Sequence, residues 1–178
     1  MKITLVSHAE TEENFLRNVL GQKNVMLNDT GRRQARNLRM RLIDEKYSYC
    51  YMSPLVRDVE TAMILIGDKV EMISDKRLIE RNTGDFEGKT LDNYNLYKYW
   101  DYNLNIDAFG VEKISDLFVR VTDFLNYITS KYDKDSNIII ITDFSTYRAL
   151  RILLKKTPLE GKLLDGVINN CSVEVFEI

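Results

Sequence analysis

The stretch that decides the fold is residues 2–11, which read KITLVSHAET. The apolar run at residues 2–6 predicts a β-strand, and His8, the only histidine of the chain, comes just after it. Open α/β sheets place their ligand chemistry at the carboxyl ends of parallel strands. The sequence therefore predicts a functional imidazole at the end of a first parallel strand.

Strand-like and helix-like patterns alternate along the rest of the chain, which favours an α/β fold. Four isoleucines at residues 138–141 are typical of a strand that is buried on both faces. Further strands are expected at residues 49–52, 70–73 and 172–178. Helices are expected from the turn at residues 28–31 to about 45, from 54 to 66, from 110 to 131 and from about 146 to 154.

Composition limits the classes of protein to which the chain can belong. Its 178 residues carry a net charge of −2, which gives no global attraction to nucleic acid or to an acidic membrane. Neither a membrane-spanning run nor a signal-peptide pattern is present, which favours a cytoplasmic protein. Cys50 and Cys171 lie in apolar, strand-like segments, and we expect both thiols to be buried and reduced. Two cysteines and one histidine argue against a structural zinc site, and no cofactor is expected.

Residues 89–109 show no regular pattern and are unusually aromatic. We interpret them as an excursion that covers the active-site end of the sheet. The alternative is that the aromatic side chains only cover the flank of the core. The aromatic residues are Tyr94, Tyr97, Tyr99, Trp100 and Tyr102.

Five motifs in order along the chain resemble those of the histidine phosphatase superfamily, the phosphoglycerate-mutase-like proteins. Residues 7–11 match the family's Arg-His-Gly-Glu-Thr run, and residues 21–22 match its Gly-Gln pair. Residues 27–35, 53–62 and 78–88 match its Leu-Thr-x-x-Gly, Ser-Pro-Leu-x-Arg and Leu-x-Glu motifs. The resemblance covers essentially the whole chain. It implies a single domain over residues 1–178, a three-layer α/β/α sandwich with a mostly parallel central sheet.

The resemblance also implies a chemistry. In the family, a phosphoryl group is transferred to a histidine nitrogen and then removed by water or a second substrate. His8 would be the nucleophile, Arg57 would hold phosphoryl oxygens and Glu80 would protonate the leaving oxygen. Asn14 and Arg81 are further candidates for binding phosphate or substrate. The implied ligand is a small phosphorylated metabolite.

Two positions depart from the family pattern. Ser7 stands where the family has the first-motif arginine, and Asp143 stands at the position of its second catalytic histidine. Unit charges ~4 Å apart interact by about 4 kcal/mol at an effective dielectric of about 20, so an ionised Asp143 would repel phosphate. We also expect Asp143 to favour imidazolium at His8, and Arg81 to favour the ionised form of Glu80. Weak or absent phosphomonoester hydrolysis is therefore predicted.

Three functions stay open at this point. The first is a weak phosphatase whose candidate site residues are His8, Glu80 and Asp143, with Ser7 in the phosphate pocket. The second is a non-catalytic module on the same fold that binds a ligand or a protein. The third uses the same imidazole and two carboxylates to hold a divalent metal, although nothing in the spacing demands it. Ser145, Tyr147 and Arg148 are candidates to replace the lost donors.

Overall fold

A computed structural model of the protein describes residues 1–90, 96–158, 163 and 168–178. Its strands are β1 (Lys2–Ser7), β2 (Tyr49–Met52), β3 (Met72–Ser74), β4 (Asn137–Thr142) and β5 (Val173–Glu177). Its α-helices are α1 (Glu12–Phe15), α2 (Asp29–Arg41), α3 (Val56–Ile66), α4 (Ile114–Lys131) and α5 (Phe144–Lys155).

The five strands form one sheet in the order β3-β2-β4-β1-β5. Neighbours among the first four are parallel, and β5 pairs antiparallel with β1. The predicted α/β fold with a mostly parallel sheet is therefore confirmed. Because β1 and β4 are adjacent and parallel, the residues that follow them emerge side by side at the carboxyl edge.

The alternation of side chains along the central strands creates a core on each face of the sheet. Ile138 and Ile140 pack with apolar residues of α4 and α5, whereas Ile139 and Ile141 pack with those of α2 and α3. All four isoleucines are fully buried, as expected of a strand covered on both faces. The helices on the two faces complete the three layers.

Element boundaries differ from the sequence expectation where a residue leaves the regular backbone. Helix α4 begins four residues after Gly110, whose φ of +75° does not fit a helix. Helix α5 begins at Phe144, because Asp143 takes the extended N-cap conformation. Cys171 lies in a turn before β5 at a φ of +56° and is half-buried, so its expected place in a buried strand was wrong. Both cysteines are free, and Cys50 is buried in β2.

The aromatic segment packs partly on the core. Tyr99 and Trp100 are buried with the core cluster of α4 and α5, and the Tyr102 ring meets that of Phe118 at a centroid distance of 5.5 Å. Tyr94 and the side chain of Tyr97 lie outside the described part of the chain. That this segment covers the active-site end stays a prediction. Among the described residues, no helix is long and apolar enough to cross a membrane.

Candidate active site

Four of the predicted site residues meet at the carboxyl edge of the sheet. His8 follows β1 and Asp143 follows β4, which places His8 Nε2 3.6 Å from Asp143 Oδ1. Arg57 reaches the same point from the first turn of α3, and Glu80 reaches it from the loop after β3. Gly31 makes this geometry possible, because a Cβ there would lie 2.1 Å from the backbone oxygen of Glu10 in the loop that follows His8.

The His8 ring is neutral at physiological pH. Its Nδ1 lies 2.7 Å from Ala9 O, which can only accept, so Nδ1 carries the proton and Nε2 presents a lone pair. Burial lowers the pKa of His8 to about 4, which outweighs the opposite effect of the Asp143 charge. Asp143 thus favours the imidazolium, as expected, but not enough to keep the ring protonated at neutral pH. Nε2 is buried without a hydrogen-bond partner among the described residues, and the ring stacks on Phe144 at 5.0 Å.

The Arg57 guanidinium bonds within the protein through all three of its nitrogens. Nε donates to Asp143 Oδ1 at 2.5 Å, and Nη2 forms a second ion-pair contact with the same oxygen. Nη1 donates to Lys23 O at 2.7 Å and Nη2 to Gly21 O at 2.8 Å. Both charged side chains are almost completely buried, at 0% and 1% exposure. The Asp143 carboxylate is thus paired with the guanidinium that was predicted to hold phosphoryl oxygens.

A third buried carboxyl group faces the same cation. Asp58 Oδ2 lies 4.0 Å from Arg57 Nε, and neither Asp58 oxygen accepts a hydrogen bond from a described residue, although the protonated carboxyl group can interact with Asp143. Burial, and next the charge of Asp143, raise the pKa of Asp58 well above its usual range. One guanidinium therefore faces two carboxyl groups, and the site contains no excess of positive charge.

Glu80 is held by two backbone donors. Its Oε1 accepts from Arg81 N at 2.6 Å and its Oε2 from Ser145 N at 3.0 Å. Burial, with a further contribution from Asp143, raises the pKa of Glu80 to about 7. Arg81 favours the ionised form of this carboxyl group, as expected, but burial outweighs its effect, and the guanidinium itself donates to Glu112 O and Tyr99 O. A carboxyl group with a pKa near neutrality is suited to proton transfer.

Ser7 and Asn14 lie beside the central group. Ser7 Oγ donates to Asn169 O at 2.8 Å and accepts from Ser172 N at 2.9 Å, so it holds the turn that precedes β5. Asn14 Oδ1 accepts from Thr11 N at 3.0 Å, closing the loop after β1. Asn14 lines the adjoining cavity, whereas Ser7 and Arg81 do not. A phosphate-binding role for these three residues stays a prediction.

A cavity of about 530 Å³ opens beside His8 and Glu80. Its wall includes Trp100 from the aromatic segment, and Ser145 and Arg148 from α5, two of the three residues considered as replacement donors. Sequence reasoning missed several further wall residues, although the pair Asn169-Asn170 just before the last strand was a usable signal. Asn170 Nδ2 donates to His8 O at 3.2 Å. The missed residues are Glu10, Arg17, Asn18, Gln34, Thr83, Phe144, Ile168, Asn169 and Asn170.

The metal hypothesis finds no support in this geometry. In the part of the chain that the structure describes, no group of three or more His, Cys, Asp or Glu side chains is arranged to hold a metal ion. The Asp143 oxygen that would serve as a ligand is already bonded to Arg57. A cation in that position would have to displace the guanidinium.

Proteins that are similar to this chain in sequence include several named as phosphatases or phosphoglycerate mutases. The chain is 32% identical to phosphoglycerate mutase-like protein 4 of Arabidopsis thaliana over 187 residues, covering 99% of this chain and 79% of that protein. It is 29% identical to a metal-independent phosphoserine phosphatase of the same plant, covering 94% and 74%.

Solved structures with a similar fold include proteins of the same kind. The YhfR protein of Bacillus stearothermophilus superimposes with a TM-score of 0.87 at 26% identity, covering 98% of this chain and 89% of that one. A phosphoserine phosphatase mutant of Entamoeba histolytica, solved with phosphoserine, has the same fold with a TM-score of 0.84 at 21% identity, covering 98% and 89%. The model of the histidine phosphatase superfamily (branch 1) matches residues 3–178, and the chain belongs to this family.

Proposed function

We propose that this protein keeps the ligand cavity of a histidine phosphatase but hydrolyses phosphomonoesters weakly or not at all. The observation that carries the proposal is the buried ion pair of Arg57 with Asp143. Phosphoryl transfer depends mainly on positioning and on neutralising the phosphoryl oxygens. Here the buried guanidinium is already neutralised by the protein's own carboxylate, and Ser7 brings no charge in place of the missing arginine.

The size of the electrostatic loss supports this proposal. A phosphoryl oxygen about 4 Å from the Asp143 carboxylate would be repelled by about 4 kcal/mol at an effective dielectric of about 20. A loss of that size in the transition state corresponds to about three powers of ten in rate. The neutral imidazole of His8 and the raised pKa of Glu80 meet two requirements of the family's chemistry, so the deficit concerns the binding of the phosphoryl group.

The ligand class follows from the family. Relatives include proteins named as phosphoserine phosphatases, and one was solved with phosphoserine bound. We propose a small phosphorylated metabolite as the ligand, held through the polar wall of the 530 Å³ cavity. A cytoplasmic location is part of the proposal and agrees with the two free thiols.

Hydrolysis of p-nitrophenyl phosphate by the wild type and by His8→Ala tests the catalytic part. We expect the wild-type rate to lie within about tenfold of the His8→Ala rate. A robust wild-type rate that disappears in His8→Ala would overturn the proposal.

The Ser7→Arg/Asp143→His double variant tests whether these two positions cause the weak binding of the phosphoryl group. Asp143→Asn is the matched single change. Removing the carboxylate frees the Arg57 guanidinium, and the added arginine restores a second cation. Calorimetric titration with vanadate should show at least tenfold tighter binding to the double variant than to the wild type. Equal affinities would show that Asp143 is not what weakens the site.

A non-catalytic binding module is the second candidate, favoured by the buried, unpartnered Nε2 of His8. Although His8 lines the cavity, its ring is fully buried, which limits the approach of a phosphoryl group to Nε2. The two candidates differ in the same assays, since a module binds a phosphorylated ligand in calorimetry without releasing phosphate, whereas a weak enzyme releases phosphate that depends on His8.

A further inference from the structure

A second cavity, of about 410 Å³, lies at the opposite end of the molecule from His8. It is formed where α2 and α3 end and where the chain approaches β2 and β3, near the amino edge of the parallel strands. Its apolar wall consists of Leu42, Leu65, Ile66 and Val70, which belong to or pack against the core of that face. The volume lies within the usual range of small-molecule sites, roughly 300–1,000 Å³.

A buried hydroxyl group in this wall is incompletely satisfied. Tyr47 lines the cavity, and its buried hydroxyl oxygen forms no hydrogen bond of full geometry with any described residue. Burial raises the pKa of Tyr47, and a weaker interaction with the Thr4 hydroxyl lowers it. The Thr4 hydroxyl is buried as well, so the two groups depend on each other unless a ligand supplies an acceptor. Because buried polar groups are nearly always hydrogen-bonded, an incompletely satisfied donor beside a cavity indicates a place for an acceptor.

Positive charge dominates the rim of the cavity. Arg39, Lys46 and Lys69 line it, and none of them forms an ion pair among the described residues. Arg39 only donates to a backbone oxygen, Ile64 O, at 3.1 Å. Of the two acidic residues at the rim, Glu45 is paired with Lys2, and Asp44 is exposed without an ion pair among the described residues, which leaves the rim with one more positive than negative side chain.

We propose that this cavity binds a small amphipathic anion, with an apolar body against Leu65 and Val70 and an acidic group against Lys46 and Lys69. The apolar wall excludes a wholly polar anion, and the unpaired cations disfavour a neutral or cationic ligand. An acceptor atom of the ligand would satisfy the Tyr47 hydroxyl. The site is separate from His8, and the proposal does not depend on whether phosphatase activity survives.

The probe for this site is 8-anilinonaphthalene-1-sulfonate, an aromatic body with one anionic group, followed by its fluorescence. We expect one binding site per chain and displacement of the probe by decanoate but not by 1-decanol. The Lys46→Glu/Lys69→Glu double variant should bind the probe at least tenfold more weakly, and Tyr47→Phe about fivefold more weakly, as expected for one lost hydrogen bond. Val70→Trp, which fills the cavity, should abolish binding.

Two control variants show which of the two cavities the probe occupies. Arg36→Glu removes an exposed charge of α2 that does not line the cavity and should change the affinity less than twofold. His8→Ala should leave it unchanged, because it alters only the other cavity. Circular dichroism and thermal unfolding check that each variant is folded.

Three outcomes would overturn the proposal. Unchanged affinity in the double lysine variant would show that the rim does not hold the anion. Loss of binding in His8→Ala would place the probe at the other cavity. Co-sedimentation with phosphatidylglycerol vesicles, combined with no displacement by decanoate, would identify the basic face as a membrane-docking surface instead.

Discussion

The two ends of the sheet use charge in opposite ways. At the carboxyl end, Arg57, Asp143 and Asp58 are buried and face one another. The positive charge of the guanidinium is therefore neutralised within the protein and is not available to a ligand. At the amino end, Lys46 and Lys69 are exposed and form no ion pair among the described residues. The comparison teaches that burial and pairing, more than residue type, decide which charges a ligand can use.

The two ends of the sheet also differ in how much stability the protein loses when one charge is removed. A buried ion pair gains little over an apolar pair of similar shape, but breaking it leaves a costly unpaired charge. An exposed charge is solvated whether or not a partner is present, so its removal costs little. The two ends should therefore respond very differently to the loss of one cation.

Arg57→Met should have the largest effect on stability. It leaves the Asp143 carboxylate buried without its cation, and breaking such a pair costs about 3–5 kcal/mol. Urea unfolding at pH 7 measures the loss in the free energy of unfolding. Arg36→Met on the exposed face of α2 is the control and should change it by less than about 0.5 kcal/mol. A similar small change in both variants would mean that the carboxyl end is solvated after all.

The pH dependence of stability should separate the contributions of His8 and Glu80. In Glu80→Gln, His8 remains, with a pKa lowered from 6.5 to about 4, so the unfolded state binds more protons between these values. The contribution of His8 to stability should then be complete above about pH 6.5 and be lost as the pH is lowered toward 4. In His8→Gln, Glu80 remains, with a pKa raised from 4.5 to about 7, and stability should fall as the pH rises from 4.5 through 7.

The measurement is the unfolding free energy of both variants at several pH values between 4.8 and 6.2, a range chosen to lie between the ordinary and shifted pKa values. Asp58, whose pKa is also raised, is present in both variants and adds a slope of the same sign to each. The difference between the two slopes therefore isolates His8 and Glu80, and stability should fall more steeply with rising pH in His8→Gln than in Glu80→Gln, by about 2 kcal/mol per pH unit. Equal slopes in the two variants would show that burial does not shift the pKa values of His8 and Glu80 in opposite directions.

Ser7→Ala should lower the unfolding free energy by a smaller amount, about 1–2 kcal/mol. The substitution removes the two side-chain hydrogen bonds between β1 and the turn before β5, and the amide of Ser172 keeps only its 3.1 Å bond to Asn169 O. Ser130→Ala, whose hydroxyl bonds to Tyr127 O at the exposed end of α4, is the matched control. If both variants lose the same small amount, Ser7 does not hold the turn, and it is free to face a ligand.

Sequence reasoning predicted the fold well because hydrophobic periodicity reports directly on a sheet with two covered faces. The isoleucine run at residues 138–141 and the motif around His8 placed β4 and β1, and their adjacency brings Asp143 to His8. Boundaries were less accurate where single residues such as Gly110 and Cys171 adopt a positive φ. That conformation leaves no trace in a hydrophobic pattern.

Protonation states were not predictable from neighbours in the sequence. The expectations for His8 and Glu80 considered one adjacent charge each and omitted desolvation, which is the largest cause of both pKa shifts. Arg81 follows Glu80 in the chain, yet its guanidinium lies against the Trp100 ring, 5.4 Å from the centroid. The direction of a long side chain depends on tertiary packing, and a linear motif does not encode it.

Lys69→Met should have the smallest effect and tests the other half of the comparison. The lysine is exposed at the cavity rim without an ion pair among the described residues, so the unfolding free energy should change by less than about 0.5 kcal/mol. A gain in stability would follow if repulsion from Lys46 and the arginines of α2 is significant, and added salt should reduce that gain because it screens exposed charges. A decrease of more than about 1 kcal/mol in the unfolding free energy would mean that Lys69 forms a stabilising contact within the protein. The cations at both ends of the sheet would then be bound by the protein's own groups.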